Sequence, residues 1–240
     1  MSAPPVLHLQ HLHFAWRRGQ ADLLDVPDFQ VARGESVLLL GHSGCGKSTL
    51  LSLMAGVLTA TSGRIALLGQ DWSALRASRR DALRADHVGY IFQQFNLLPY
   101  LSALDNVMLP CRFSRLRRER AGRDPRASAM DLLRQVGLPE AVWRQPASQL
   151  SVGQQQRVAA ARALIGHPEL LIADEPTSAL DEDLRDSFMR MLRDSQARQH
   201  SALVFVSHDT RLGPHFDRVV RLPELNRAAH AQPVQPEAAA

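Results

Sequence analysis

The stretch GHSGCGKST, residues 41–49, decides the fold that we expect for this chain. It contains Lys47, the only lysine in a sequence with 28 lysine and arginine residues. An apolar run, residues 37–40, precedes the stretch, and residues 48–57 have the composition of a helix. A strand, a glycine-rich loop ending in Gly-Lys-Ser and a helix form the phosphate-loop pattern. The sequence therefore predicts a phosphate-binding loop at this position.

The residue types in this loop match the chemistry of a phosphate site. Glycines let successive backbone N–H groups point at phosphate oxygens, and the following helix adds its positive N-terminal dipole. Lys47 would reach the β- and γ-phosphates as a compact point charge, whereas the planar fork of arginine would fit a tight cradle poorly. Ser48 would bind Mg²⁺ through its hydroxyl.

The whole loop is predicted to contact a nucleotide. The residues concerned are Gly41, His42, Ser43, Gly44, Cys45, Gly46, Lys47, Ser48 and Thr49. Cys45 would contribute its backbone N–H, although its thiol is also a candidate for oxidation. A glycine-rich turn without a ligand is the alternative interpretation, and the flanking strand and helix argue against it.

Two further apolar runs end in polar side chains. Residues 170–173 precede Asp174 and Glu175, and residues 203–206 precede Ser207 and His208. Such runs are typical of parallel strands buried on both faces, and ligands lie just beyond the carboxyl ends of these strands.

These strand ends suit the chemistry of phosphoryl transfer. Asp174 would serve the metal ion in its second coordination sphere, and Glu175 would act as general base toward water. A neutral His208 would hydrogen-bond the γ-phosphate or hold the water and Glu175 in register. A solvated Asp-Glu pair at the start of a loop is the alternative. A metal phosphohydrolase is another, but no second His/Asp set accompanies His208.

The remaining sequence predicts an α/β domain with an insert. Residues 6–14 and 26–31 alternate apolar and polar side chains, as half-buried strands do. Residues 95–150 have few strand signals and several helix signals, so we predict a mainly helical insert. Besides the helix predicted over 48–57, the predicted helices are 126–136, 153–165 and 183–199. The domain is expected to span 1–227, with a core of about 6–94 and 156–225, a helical part of about 95–155 and a disordered tail at 228–240.

Composition excludes several classes of protein. The chain has 240 residues, 45% of them hydrophobic, and a formal charge of +4, which fits a globular domain. Two cysteines provide neither a disulfide framework nor zinc spacing, so a reducing cytoplasm is expected. No apolar run approaches the roughly 20 residues that cross a bilayer, and no signal peptide is recognisable.

An arginine-rich run predicts a solvated helix face rather than a phosphate or lipid contact. Its members are Arg112, Arg115, Arg117, Arg118, Arg120, Arg123 and Arg126.

The motif LSVGQQQR, residues 150–157, connects these features to a known family. It follows the phosphate loop by about a hundred residues and lies just ahead of LLIADEP, residues 170–176. In this combination the chain resembles the ATP-binding subunit of ABC transporters over about residues 6–222. The resemblance implies a P-loop NTPase core, with a RecA-like mixed sheet and N-terminal antiparallel strands, plus a mainly helical ABC subdomain. It also implies ATP and Mg²⁺ as ligands, and ATPase activity coupled to transport.

The same resemblance implies roles for residues outside the phosphate loop. Gln93, in YIFQQFNLLP, matches the glutamine that touches Mg²⁺ and the water and links the core to the helical insert. Ser151 and Gly153 match the signature that contacts the γ-phosphate bound to the opposite subunit, and Gln154 and Gln155 continue this signature. Asp181, in SALD, matches a loop that crosses the dimer interface. His208 matches the switch histidine.

Two aspects of this match are specific to the chain. Trp16, in LHFAW, matches the aromatic position that stacks on adenine, and Phe14 is a competing candidate. The signature of the family usually reads Leu-Ser-Gly-Gly-Gln, and Val152 stands here at its first glycine. Because a β-branched residue tolerates a positive φ badly, the backbone at 152 must be ordinary, and we expect a working signature.

The stretch QQFNLLPYLSALDNVMLP, residues 93–110, is most similar to the branch with lipoprotein-release, macrolide-export and cell-division ATPases. The resemblance implies a homodimer on the cytoplasmic face of the inner membrane, driving a separate permease by closure and opening, with export or extraction from the membrane as the favoured direction. An ABC-type ATPase with a structural role at a cell-envelope complex is the alternative. ABC ATPases that act on nucleic acid usually carry two cassettes or a long coiled-coil insert, so no nucleic acid partner is expected.

Overall fold

The computed structural model describes residues 4–178 and 182–230. Within these residues the strands are β1 (Leu7–Phe14), β2 (Leu24–Val31), β3 (Ser36–Leu40), β4 (Ser62–Leu67), β5 (Gln70–Asp71), β6 (Val88–Ile91), β7 (Leu170–Asp174), β8 (Ala202–Ser207) and β9 (Arg218–Arg221). The helices are α1 (Lys47–Met54), α2 (Ala77–His87), α3 (Ala103–Phe113), α4 (Arg115–Arg120), α5 (Pro125–Gln135), α6 (Val152–Leu164), α7 (Glu182–Gln199) and α8 (Leu222–Leu225). Short 3₁₀ turns cover Glu140–Val142, Ala147–Gln149, Thr210–His215 and Arg227–His230.

A parallel sheet with the strand order β6-β7-β8-β3-β9 forms the centre of the molecule. Because all of its strands run in the same direction, their carboxyl ends meet at one edge. The loops that follow β3, β6, β7 and β8 all leave from this edge, and they carry several of the predicted site residues, among them Lys47, Gln93, Glu175 and His208. The three apolar runs found in the sequence are β3, β7 and β8, so this part of the fold prediction is confirmed.

The strands β3, β7 and β8 are mainly apolar because both of their faces are covered. Along β3, Val37 and Leu39 belong to one hydrophobic cluster, whereas Leu38 and Leu40 belong to the other. The first cluster packs against α1 and a second, antiparallel sheet with the order β2-β1-β4-β5. The second cluster packs against α3, α5, α6 and α7. Burial on two sides removes the alternation that marks a half-exposed strand.

The antiparallel sheet confirms the predicted N-terminal strands. Strand β1 pairs with β2 on one side and with β4 on the other, and the register with β4 shifts between Gln10 and His13. At this irregularity a Cβ on Gly63 would lie 2.0 Å from the carbonyl oxygen of His11. Only glycine therefore permits the two backbones to approach this closely.

The segment between β6 and β7 is mainly helical, as predicted, and contains α3, α4, α5 and α6. Helix α6 runs without a break through residue 156, where the sequence predicted the boundary between insert and core. At the other end of the domain, the Arg227–His230 turn lies beyond the predicted end at 227, and Ala228 is buried. The described residues thus include 228–230 of the predicted tail, and 231–240 lie outside them.

The arginine-rich run is only partly a solvated face. Arg117 is 3% exposed and donates hydrogen bonds to the carbonyl oxygens of Val88, Ala163 and Ile165. Two of these carbonyls end α6, where the helix has no partners for them. Arg120 pairs with the carboxylate of Glu169 at 2.7 Å. The prediction is wrong for these two residues and confirmed for the exposed members of the run.

Among the described residues, none of the helices combines the length and the apolar character needed to cross a membrane.

Candidate nucleotide-binding site

The loop between β3 and α1 has the backbone geometry of an anion cradle. Gly44 and Gly46 adopt left-handed conformations, with φ of 80° and 96°, and Gly46 is the N-cap of α1. No described side chain caps the first turn of α1, so its N–H groups are free to bind an anion. At Gly41 a Cβ would lie 2.5 Å from Cys45 Sγ, so a larger residue there would require the Cys45 side chain to move.

Lys47 is held across this loop. It is 8% exposed, and its Nζ donates to the carbonyl oxygens of Gly41 at 2.8 Å and His42 at 3.0 Å. The same Nζ lies 3.2 Å from Glu175 Oε1. The ammonium is therefore positioned by the loop itself, with its charge directed toward the end of β7.

Glu175 joins the ends of β7 and β8. Its backbone N–H donates to the carbonyl oxygen of Val206 at 3.1 Å, and its Oε2 lies 3.3 Å from His208 Nδ1. The φ of Glu175 is 44°, a left-handed conformation that is costly for a residue other than glycine. This backbone turn holds the carboxylate between Lys47 and His208. The side chain of His208 is largely exposed.

Asp174 precedes this turn and contacts Ser48. Burial raises the pKa of the Asp174 carboxyl above its ordinary value; the negative charge of Glu175 adds to this, and the Ser48 hydrogen bond and the charge of Lys47 oppose it. In the neighbouring strand β6, burial and the charge of Asp174 raise the pKa of the Tyr90 hydroxyl. A desolvated carboxylate beside a hydroxyl is a donor set that fits Mg²⁺, which prefers oxygen ligands and few protein side chains.

An open groove of about 470 Å³ lies over the phosphate loop. This volume is in the range of ligand sites. Its walls combine three of the four loops at the strand ends with the segment after β1. The lining residues are Trp16, Leu23, Ser43, Gly44, Gly46, Lys47, Ser48, Thr49, Gln93 and Glu175. The structure thus brings together the predicted adenine-stacking, phosphate, glutamine-loop and base residues.

The two aromatic candidates for the adenine differ in exposure. Trp16 is 63% exposed and lines the groove, whereas Phe14 is 6% exposed and belongs to the hydrophobic core. Their rings meet edge to face, with 5.2 Å between centroids. Of these two residues, only Trp16 exposes its ring to a ligand. The buried Phe14 packs against the Trp16 ring.

The signature residues, 150–157, lie outside this groove, at the start of α6. Ser151 is the N-cap of α6, and it forms a capping box with Gln154 through hydrogen bonds of 2.9 and 3.3 Å. Val152 is the first residue of the helix and is exposed, so its backbone is ordinary, as predicted. Gly153 is partly buried, and a Cβ placed on it would meet nothing within 4 Å. No residue of 150–157 lines the groove in the described part of the chain. Asp181 lies outside the described residues.

Sequence reasoning missed two residues of α6 that hold the loops of the site. Gln156 is buried and donates to the carbonyl oxygen of Pro176 at 2.9 Å, directly after Glu175. Arg162 donates to the carbonyl oxygens of Phe95 and Asn96, shortly after Gln93. Polar side chains within the alanine-rich apolar face of a predicted helix were the available signal, because such groups are buried only when they have partners.

Comparisons with known proteins agree with this geometry. The family model described as ABC transporter matches residues 24–178. The uncharacterized ABC transporter ATP-binding protein YbbA of Escherichia coli is 41% identical over 224 residues, which cover 92% of this chain and 96% of YbbA. The lipoprotein-releasing system ATP-binding protein LolD of Legionella pneumophila is 37% identical over 221 residues, covering 91% and 95%.

Among solved structures, the ATP-binding cassette MJ0796, a dimer in a post-hydrolysis state with ADP and Pi, is similar to this chain with a TM-score of 0.77. The two sequences are 32% identical, and the match covers 90% of this chain and 93% of that one. Residues 24–178, which the family model matches, include the phosphate loop, Gln93 and Glu175. The chain therefore belongs to the ABC transporter family, as an ATP-binding and ATP-hydrolysing subunit.

Proposed function

We propose that this subunit drives a separate membrane permease through ATP-dependent closure and opening of a homodimer. The observation that carries the proposal is the open groove, which unites Trp16, Lys47, Gln93 and Glu175 but none of the described signature residues. The groove contains Glu175, the proposed general base, but no described residue of the signature 150–157, so it is an incomplete active site. A second copy of the chain supplies the other half.

ATP binds in the groove with its adenine on Trp16 and its phosphates on the loop. The backbone N–H groups at the start of α1 and the Lys47 ammonium bind the β- and γ-phosphates. Ser48, Asp174 and Gln93 would hold Mg²⁺, and this ion would neutralise charge that develops on the phosphate oxygens. The contact between Asp174 and Ser48 supports the first two of these assignments.

Hydrolysis needs a base beside the γ-phosphate. Glu175 accepts a proton from the attacking water as the water oxygen bonds to the γ-phosphorus, and the bond from that phosphorus to the bridging oxygen breaks. The products are ADP and inorganic phosphate. Lys47 stabilises the charge on the transferred group, and His208, in contact with Glu175, holds the carboxylate in register.

Closure requires two copies arranged head to tail. Ser151 and Gly153 lie at the exposed N-terminus of α6, whose dipole favours an anion, so the γ-phosphate of one subunit can bridge to the signature of the other. Gln154 and Asp181 would extend this interface. Loss of the γ-phosphate removes the bridge and lets the dimer open.

A second groove, of about 410 Å³, is the proposed docking surface for the permease. Its lining is mainly apolar and includes Val57, Phe92 and Phe113, the last of which is 77% exposed. An exposed apolar surface of this kind suits a partner protein rather than water. Phe92 directly precedes Gln93, so a cytoplasmic segment of the permease would press on the loop that carries this glutamine.

The direction of transport proposed is export or extraction from the membrane, from the cytoplasmic face, where the subunit would bind peripherally. Similarity to the lipoprotein-releasing ATPase LolD supports this direction.

Complementation between two inactive variants tests the shared site. Lys47→Ala and Ser151→Arg should each abolish ATPase activity in a homodimer. An equal mixture forms mixed dimers with one intact site, so activity should return to about a quarter of the wild-type rate. The control is Lys47→Ala alone, at twice the concentration that it has in the mixture, so that the total protein concentration is the same. A mixture no more active than its components would contradict the head-to-tail site.

Co-purification tests the docking surface. Phe113→Asp should prevent recovery of the subunit with its permease while ATP binding is retained. Val219→Asp is the matched control, because Val219 is also an exposed apolar residue but lies on β9. Equal recovery of both variants would place the permease elsewhere.

A further inference from the structure

We propose that Arg162 is a positioning residue for Gln93, because its guanidinium holds the turn that follows this glutamine and so determines where the Gln93 amide points. The inference rests on the role proposed above for Gln93. It adds a residue that touches neither nucleotide nor metal and acts through the backbone of the glutamine loop.

The turn after Gln93 has an unusual backbone. Phe95 and Asn96 both adopt left-handed conformations, with φ of 58° and 47°, and neither is glycine. Single left-handed residues occur in many turns, but two in succession at non-glycine positions are costly. Inside the turn, Phe95 N–H donates to Phe92 O at 2.9 Å and Asn96 N–H donates to Gln94 O at 2.6 Å. Such a turn persists only where its surroundings hold it.

Arg162 supplies that restraint from α6. Its Nη1 donates to the carbonyl oxygen of Asn96 at 2.6 Å and its Nη2 donates to that of Phe95 at 2.5 Å. The planar guanidinium thus spans two consecutive carbonyls, which a lysine ammonium cannot match in geometry. Burial lowers the pKa of Arg162 to about 10, so the group remains charged at neutral pH and both hydrogen bonds are charge-assisted.

Helix α6 connects this restraint to the rest of the site. Ser151 caps its N-terminus, Gln156 donates to the carbonyl oxygen after Glu175, and Arg162 holds the turn after Gln93. A shift of α6 that accompanies closure of the signature on a nucleotide therefore moves the Gln93 loop with it. The hydrogen bonds of Arg162 couple the movement of α6 to the movement of the Gln93 loop.

Substitution of Arg162 tests the link. Arg162→Met should lower kcat by about tenfold and leave the KM for ATP within about twofold, since Trp16 and the phosphate loop are untouched. Arg162→Lys should fall between Arg162→Met and wild type. Arg120→Met is the matched control: it also removes an arginine that bridges the helical insert and the core, through Glu169, but it does not contact the Gln93 loop. Its kcat should stay near that of wild type.

Hydrogen exchange provides a readout independent of catalysis. In the nucleotide-free protein, Arg162→Met should increase the exchange rates of the Phe95 and Asn96 amides by about tenfold or more, and Arg120→Met should not. Unchanged exchange at these amides in Arg162→Met would overturn the proposal, as would a wild-type kcat.

The turn can also be disrupted by substituting Asn96, which lies within it. This second substitution keeps the test valid if Arg162→Met does not fold. Asn96 is exposed, so Asn96→Val introduces a β-branched residue that rejects the left-handed conformation, whereas Asn96→Gly accepts it. We expect Asn96→Val to reproduce the tenfold loss of kcat and Asn96→Gly to remain near wild type. Equal activity of the two variants would refute the role of the turn.

Gln93→Ala distinguishes a failure of the positioning role of Arg162 from a failure of the proposed role of Gln93. A low kcat in Gln93→Ala with wild-type kcat in Arg162→Met and Asn96→Val would leave the proposed mechanism intact and refute only the positioning role. A wild-type kcat in Gln93→Ala would refute the role of Gln93 itself, and the inference with it.

Discussion

The ammonium of Lys47 and the carboxylate of Glu175 are in contact, with 3.2 Å between Nζ and Oε1. They come from different strands, because Lys47 follows β3 and Glu175 follows β7, and β8 separates these strands in the sheet. The contact places the proposed phosphate-binding cation beside the proposed general base. It also makes the effect of neutralising either group a direct test of the mechanism.

Replacement of the base should separate binding from hydrolysis. Glu175→Gln keeps the shape of the side chain and removes its basicity, so we expect kcat to fall by about 10²–10³ while ATP binding is retained. Steady-state ATPase assays and equilibrium binding of ATP measure the two effects. Glu224→Gln, which changes a carboxylate exposed on α8, is the control. A kcat near wild type for Glu175→Gln would mean that another group accepts the proton.

Substitutions at the two aromatic positions should have different effects. Trp16→Ala should raise the Kd for ATP by about tenfold, because stacking on a base contributes about 1–3 kcal/mol, and should leave the melting temperature unchanged. Phe14→Leu should lower stability by about 1 kcal/mol and leave the Kd within about twofold, because it alters only buried packing. Binding titrations and thermal denaturation check both. Weaker ATP binding in Phe14→Leu alone would assign the stacking role to Phe14.

The unusual signature should tolerate its missing glycine. Val152 has a helical backbone, which valine and glycine both adopt, so Val152→Gly should change ATPase activity by less than about threefold. Its main effect should be a loss of up to about 1 kcal/mol of stability from the lower helix propensity of glycine. ATPase assays and urea denaturation measure these quantities. Activity that appears only in the glycine variant would show that the natural signature is defective.

The acid stability of the protein should depend on Glu169. Burial alone would raise its pKa, but hydrogen bonds from His87 and Arg120 outweigh burial and lower the pKa to about 2 from the ordinary 4.5. A depressed carboxyl pKa stabilises the folded state above pH 4.5, and this contribution disappears as the pH falls toward 2. Glu169→Gln should therefore cost up to about 3 kcal/mol at pH 7, with the difference from wild type shrinking below pH 4.5.

Urea denaturation at pH 7, 5, 4 and 3 follows this difference. Glu224→Gln is the control, because it replaces an exposed carboxylate. A constant gap between Glu169→Gln and wild type across the series would contradict the assignment of the depressed pKa to Glu169.

Sequence patterns predicted those features that follow from local chemistry. Three apolar runs indicated buried parallel strands, and the polar residues after them indicated the site edge, which correctly gathered Lys47, Glu175 and His208. The alternation of residues 6–14 indicated a half-buried strand. In contrast, α2 was not predicted, because Leu83 is its only fully buried residue and its apolar periodicity is weak. The helix predicted over 48–57 ends earlier, at Met54, because Gly56 adopts a left-handed conformation with φ of 66°.

Tertiary structure decided which of several chemically similar residues are exposed and which are buried. Trp16 and Phe14 are equally aromatic, and only packing buries one and exposes the other. Arg117 and Arg162 were indistinguishable from solvated arginines, because their partners are backbone carbonyls, which every residue has. The sequence alone therefore determined the chemistry available to this protein through the types and spacing of its side chains. The positions of those side chains, their burial and their backbone partners depended on contacts between distant segments, which no local pattern encodes.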